Sequence, residues 1–188
     1  MRVYLVRHGE SETNLIRYYT GWLQVSLTEK GIRDAVAAGK VLEGVLFDRV
    51  FSSDLIRACQ TAENAIPGCR YETSDLLREY DVGSLAGNPI SDVTPEMRRE
   101  INANGFVAFG GESRDTFQKR VKEFFAELEQ LSCENVAVFT HRGWVMAALQ
   151  HVLGAEALGA KVICNNCAVA VFDYDGKAWK LHSWINQR

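Results

Sequence analysis

Three short strand-like runs, each closed by polar residues and followed by a helical pattern, constrain this chain more than any other feature. The first, VYLV at 3–6, runs straight into Arg7-His8-Gly9. The second, at about 49–52, ends in Ser52-Ser53-Asp54, with Arg57 in the first turn of the next predicted helix. The third, VAVFT at 136–140, ends in His141-Arg142-Gly143. Apolar runs this short, rich in valine and aromatics, suit buried strands better than helices. The stretches between them carry helical spacing. One helix is expected at about 29–43, with Ile32, Ala35, Val36, Gly39 and Leu42 on its apolar face and Ser26 or Thr28 as cap. A second is expected from a cap at Asp54 to about 65, and a third at about 112–131 with a stripe of Phe117, Val121, Phe124, Leu128 and Leu131. A fourth is expected at about 143–153, and two edge strands, about 168–174 and 178–184, meet at Asp175-Gly176. Strands alternating with helices predict an α/β fold, a three-layer α/β/α sandwich with a mostly parallel sheet. Residues 84–111 break the pattern and are expected to form an irregular insert, with one short helix near 95–103, that walls or covers a site.

At 188 residues, with no repeat, no linker-like tract and three prolines, the chain is expected to form a single domain spanning 1–188. A net charge of −3 argues against binding nucleic acid or a membrane surface by bulk charge. No apolar run is long enough to span a bilayer and the N-terminus lacks a secretory pattern, so a soluble, cytoplasmic protein is expected, as a monomer or homodimer. The five scattered cysteines read as reduced thiols. Cys164 and Cys167 have CxxC spacing, but no second pair completes a zinc site, so they read as small apolar residues leading into a strand.

Singly, each polar residue at the strand ends has an ordinary explanation. Arg7 could pair with a carboxylate, Arg57 could be a helix-surface charge, and histidines such as His151 and His182 are commonly structural. Jointly they say more. If the three strands are parallel neighbours, Arg7, His8, Arg57 and His141 converge beside helix N-termini. Such a site suits a compact anion with several oxygens, and phosphate fits the bidentate grip of arginine.

The joint pattern resembles the histidine phosphatases, the phosphoglycerate mutase-like superfamily. The resemblance is carried by RHGESETN at 7–14, TGWLQVSLTEKG at 20–31, SSDLIRACQTAE at 52–63, LREYDVGSLAG at 77–87, GGES at 110–113, THRG at 140–143 and NNCAVAVFDYDGKAWKL at 165–181. It implies that His8 is a nucleophile forming a phosphohistidine, that Arg7, Arg57 and His141 hold the phosphoryl oxygens, and that Asn14 adds a hydrogen bond. It implies that Glu79 is the proton donor and acceptor, with Thr20 and Gly21 beside the pocket, and that no metal or other cofactor is needed. Trp22 and Arg142 are further candidates for the pocket. The sequence departs from the family at Arg142, where a small residue is common, and at Leu85-Ala86, where Trp-Glu is common.

These roles agree with the chemistry. An imidazole nucleophile needs one nitrogen free and the other donating to a fixed acceptor. Phosphoryl transfer needs positioning and positive charge at the equatorial oxygens, here expected from two arginines and the second histidine. An alkoxide leaving group needs an acid. Glu10, Glu12 and Asp81 are candidate neighbours for Glu79. The expected activity is metal-independent hydrolysis of a small phosphorylated metabolite. The alternatives are a cofactor-dependent phosphoglycerate mutase, for which Arg98-Arg99 in the insert is a partial signature, and a non-catalytic phospholigand-binding module. Tyr18, Tyr19, Trp22, Phe106, Phe109 and Trp144 are candidates for apolar pocket walls, as a sugar, nucleoside or ribazole phosphate would use.

Overall fold

The computed structural model describes residues 1–154 and 162–186. Strand β1 (Arg2–Arg7) lies at the centre of a sheet with β2 (Arg49–Ser53), β3 (Glu72–Ser74), β4 (Asn135–Thr140), β5 (Val169–Tyr174) and β6 (Trp179–Ile185), in the order β3-β2-β4-β1-β5-β6. The first four strands of that order are parallel, and β5 and β6 close the sheet as an antiparallel hairpin. Alternation along each central strand divides the core. Val3 and Leu5 of β1 and Val136 and Val138 of β4 pack on one face, whereas Val6, Ala137 and Phe139 pack on the other. Both faces are apolar, so both must be covered, and this makes three layers.

Among the described residues the α-helices are α1 (Glu12–Leu15), α2 (Glu29–Leu42), α3 (Ile56–Ala65), α4 (Pro95–Asn104), α5 (Arg114–Glu129) and α6 (Arg142–Leu153). The stripe Phe117, Val121, Phe124 and Leu128 is buried with Trp144 and Val145 of α6, forming the larger core. Of the two candidate caps for α2, Thr28 serves, its Oγ1 accepting the Gly31 N–H at 3.0 Å. A cap of this kind typically contributes about 1 kcal/mol.

The structure corrects the apolar face expected for α2. Ala35 and Leu42 are buried, as expected, and Ala38 joins them, but Ile32 and Val36 are exposed. The reason is close packing: a Cβ at Gly39 would lie 2.3 Å from the Ala65 carbonyl oxygen of α3. No side chain fits at that contact, so α2 lies close on α3 at Gly39, and Ile32 and Val36 lie off the buried face. Asp54 is likewise not a cap. It pairs with Arg78, Nε to Oδ1 at 2.7 Å, while the first N–H of α3 is taken by Gln24 Oε1 at 2.9 Å. The segment 84–111 is better ordered than expected. It holds α4 and several 3-10 turns, and Val82, Leu85, Val93 and Phe106 form a small core of their own. The three-residue strand β3 and the one-turn α1 carry no sequence signal strong enough to predict them. Among the described residues, no helix is long and apolar enough to cross a membrane.

Candidate active site

Register places the two histidines. In the parallel pair of β1 and β4, Arg7 lies opposite Thr140, so the next residue of each strand is a histidine. The His8 N–H donates to the Thr140 carbonyl at 2.8 Å, and the imidazole centroids of His8 and His141 are 5.1 Å apart. Both side chains are buried at the carboxyl ends of the strands, where open α/β sheets collect ligands.

His8 Nδ1 lies 2.7 Å from the Gly9 carbonyl oxygen. A carbonyl only accepts, so Nδ1 carries the proton and Nε2 keeps its lone pair. Burial, reinforced by the Arg57 and Arg7 guanidinium groups, holds the imidazole well below its ordinary value of 6.5. At neutral pH His8 is therefore unprotonated at Nε2, and it lines a cavity of about 560 Å³.

The two arginines are held by main-chain carbonyls. Arg57 Nη1 donates to the Leu23 carbonyl at 3.0 Å and Nη2 to the Gly21 carbonyl at 2.9 Å. Burial lowers Arg57 to about 10, which leaves it charged at neutral pH. Arg7 Nη1 donates to the Cys164 carbonyl, and burial lowers this arginine too. Arg7 Nε, Arg57 Nε and both ring nitrogens of His141 are buried without a hydrogen-bond partner in the protein. Unpaired buried polar atoms are costly and rare, so four of them on three residues that flank His8 need a physical explanation. One expectation changes here. Burial and nearby Arg57 hold His141 well below 6.5, so in the free protein it is a neutral hydrogen-bonding group and the positive charge comes from the arginines.

Asn14 lines the same cavity. Its Oδ1 accepts from Ser11 N–H at 3.3 Å and from Asn166 Nδ2 at 3.1 Å, which leaves its amide NH2 as the outward group. Asn166 Nδ2 also reaches the His8 carbonyl at 3.1 Å. The loop containing the CxxC pair is thus a brace for the site: Cys164 holds Arg7, and Asn166 holds His8 and Asn14. This function of Asn166 was missed in the sequence. Its only signal was a place in NNCAVAV, read there as the approach to a strand.

Glu79 sits at the start of α6. Its Oε2 accepts the Gly143 N–H at 2.9 Å and its Oε1 the Tyr80 N–H at 3.0 Å. A Cβ at position 143 would lie 2.1 Å from Glu79 Oε1, so glycine there gives the carboxylate its place. Among the described residues, Glu79 is the only carboxylate lining the cavity. The expected neighbours lie elsewhere: Glu10 Oε1 accepts from Thr28 Oγ1 at 2.8 Å, Asp81 Oδ1 accepts from Gly83 N–H at 2.9 Å, and Glu12 is not in the lining.

Thr20, Gly21 and Arg142 line the cavity, with Tyr18, Tyr19 and Phe106, while Arg57 and His141 are buried behind its lining. Trp22 does not. Its Nε1 donates to the Glu79 carbonyl at 2.7 Å, with Arg78 stacked 4.8 Å from its ring, so it supports Glu79 from behind. Phe109 also stands outside the lining, and Trp144 is core. Arg98 and Arg99 are absent from the lining as well, Arg99 pairing with Glu96 at 2.8 Å. His151 packs against Phe125 and His182 pairs with Asp173, both outside the cavity. Arg114, Gln118 and Gln150 line it and had no sequence signal beyond their helices.

The family model of the histidine phosphatase superfamily, branch 1, matches residues 3–187. The chain belongs to this superfamily. Within it, the chain is 30% identical over 195 residues to a Salmonella paratyphi A protein named "Probable phosphoglycerate mutase GpmB", covering 98% of this chain and 90% of that one. A mycobacterial glucosyl-3-phosphoglycerate phosphatase, solved with VO3, has a TM-score of 0.85 at 26% identity, covering 99% of each chain. A phosphoglycerate mutase from Thermus thermophilus has a TM-score of 0.76 at 30% identity over 100% of both chains. Superfamily relatives of this chain thus include both mutases and phosphatases.

The buried histidines make stability depend on pH. Unfolded, each titrates near 6.5; folded, both are held well below it. The unfolded chain therefore binds more protons, and stability present above about pH 6.5 is lost as pH falls. Urea unfolding between about pH 6.5 and 5 should show a loss of roughly 1.4 kcal/mol per pH unit for each histidine. Asp54, Asp173 and Asp175 are lowered by their ion-pair and hydrogen-bond partners, so their contributions fail only below about pH 4. His151, also lowered by burial, adds equally to both proteins in a comparison. His8→Asn should reduce the slope by one histidine's share; an unchanged slope would contradict the assignment.

Proposed function

We propose that the protein is a metal-independent phosphomonoesterase acting through a phosphohistidine on His8. The observation that carries this reading is the ring of buried, protein-unpaired donors on Arg7, Arg57 and His141 around a histidine whose Nε2 is free. A phosphoryl group satisfies those donors, and its charge is met by the two arginines. In the first step the Nε2 lone pair attacks phosphorus, the ester P–O bond breaks, and Glu79 gives its proton to the leaving oxygen. In the second, water attacks the phosphohistidine, Glu79 takes the water's proton, and the N–P bond breaks to release phosphate. The Gly9 carbonyl supports the positive charge on the imidazole throughout, and Asn14 donates to a phosphoryl oxygen.

Hydrolysis is favoured over isomerisation by the insert. A mutase must hold its substrate through release and return, and Arg98 and Arg99 stand away from the cavity, which is walled on that side by Ile101 and Phe106. Hydrolysis of p-nitrophenyl phosphate should persist in excess EDTA and be inhibited by vanadate, which mimics five-coordinate phosphorus. Loss of activity in EDTA with recovery on adding zinc or magnesium would overturn the mechanism. With 3-phosphoglycerate and catalytic 2,3-bisphosphoglycerate, phosphate release should outpace formation of 2-phosphoglycerate; the reverse order would favour the mutase.

A further inference from the structure

We propose that the cavity contains a second anion-binding subsite, formed by Arg142 and Arg114, and that the substrate is a phosphomonoester carrying a second anionic group. This rests on the phosphatase reading above and adds the substrate class. Arg142 is the first residue of α6, directly after His141, and Arg114 is the first residue of α5. Both line the cavity that His8 lines.

Charge is the first argument. Elsewhere among the described residues Arg2, Arg33, Arg49, Arg78, Arg99 and Arg120 are in ion pairs, while the unpaired Arg17, Arg70 and Arg98 stand outside the cavity; Arg114 and Arg142 differ from these in facing it, exposed at its rim. Among the described residues, Arg142 has no hydrogen-bond or ion-pair partner, and Arg114 has only the Asn102 carbonyl, which neutralises no charge. Arg7 and Arg57 already balance a phosphate dianion. The two further guanidinium groups leave the cavity with a cationic surplus, opposed in its lining by Glu79 alone.

Shape is the second. A cavity of about 560 Å³ is far larger than a phosphate group needs and falls in the ordinary range for small-molecule sites. Gln118 Nε2 donates to Gln150 Oε1 at 3.1 Å, tying α5 to α6 at the cavity wall that carries the two arginines. Ile101, Phe106 and Met146 supply apolar surface for a short carbon skeleton. A carboxylate or a second phosphate presents the paired oxygens that a guanidinium grips.

Matched substrates test this. 3-Phosphoglycerate and glycerol 3-phosphate differ by a carboxylate against a hydroxymethyl group. Propane-1,3-diyl bisphosphate and 3-hydroxypropyl phosphate differ by a second phosphate. The wild-type protein should prefer at least one anionic member by about tenfold or more in kcat/KM, and which pair shows the larger ratio identifies the anion. Arg142→Gln and Arg114→Gln should each lower kcat/KM for that member at least about fivefold more than for its neutral counterpart. Both residues start helices at the cavity rim rather than in the core, and circular dichroism checks that the variants fold. No preference in the wild type, or equal slowing of both members of each pair in the variants, would overturn the subsite. Titration calorimetry with the same four ligands separates the two readings. Without turnover, a tenfold Kd preference that Arg142→Gln abolishes supports the subsite while the phosphatase reading falls; equal Kd values overturn the subsite.

Discussion

His8→Ala is expected to lower turnover of p-nitrophenyl phosphate by roughly 10⁴-fold or more, with the protein still folded. The size follows from what is removed. Among the described residues His8 is the only imidazole lining the cavity, and its tautomer, which leaves the Nε2 lone pair free, is held by the Gly9 carbonyl at 2.7 Å. The structural cost is smaller. His8 is buried, but its side chain makes one hydrogen bond, so truncation should cost on the order of 1–3 kcal/mol. Circular dichroism and urea unfolding check the fold, and rapid quench in alkali checks for loss of phosphohistidine. A folded variant with near wild-type turnover would remove His8 from the mechanism.

Glu79→Gln should slow enzyme phosphorylation by an alkyl phosphate roughly 10²-fold or more, and phosphorylation by p-nitrophenyl phosphate far less. An alkoxide leaves only when protonated, whereas nitrophenolate leaves unaided. Steady-state rates hide the contrast, because Glu79 also activates the water in the second step, so a single turnover must be followed. Gly143→Ala provides an independent check. Its new Cβ would stand 2.1 Å from the present position of Glu79 Oε1, and the flexible end of a glutamate moves more readily than the backbone. The carboxyl should shift, and the variant should show the same leaving-group contrast with Glu79 still present. Equal slowing of both substrates in Glu79→Gln would mean that Glu79 positions phosphate without donating a proton.

Much of the site was legible because its parts are local. A buried strand, a helix start and an arginine–histidine pair such as Arg7-His8 are written in consecutive residues. The resemblance then connected Glu79 and Asn14, which local chemistry could not. What was misread depended on neighbours distant in sequence. Asp54 reads as a cap until Arg78, 24 positions away, takes its carboxylate. Trp22 reads as a pocket wall until its indole is found bonded behind Glu79.

The sequence by itself determined the alternation of strand and helix, because hydrophobic periodicity is a property of short segments. It also determined that a histidine follows β1 and another follows β4. Only the tertiary structure decided that these histidines meet, because that depends on the register setting Arg7 opposite Thr140. It also decided that Ile32 and Val36 face outward, since the helix is turned so that Gly39 meets the Ala65 carbonyl of α3 and Ala35, Ala38 and Leu42 are buried. His141 is neutral in the free site for the same kind of reason: desolvation and the field of Arg57 are sums over everything packed around it. Burial, register and electrostatic potential belong to the assembled fold, and no window of the chain contains them.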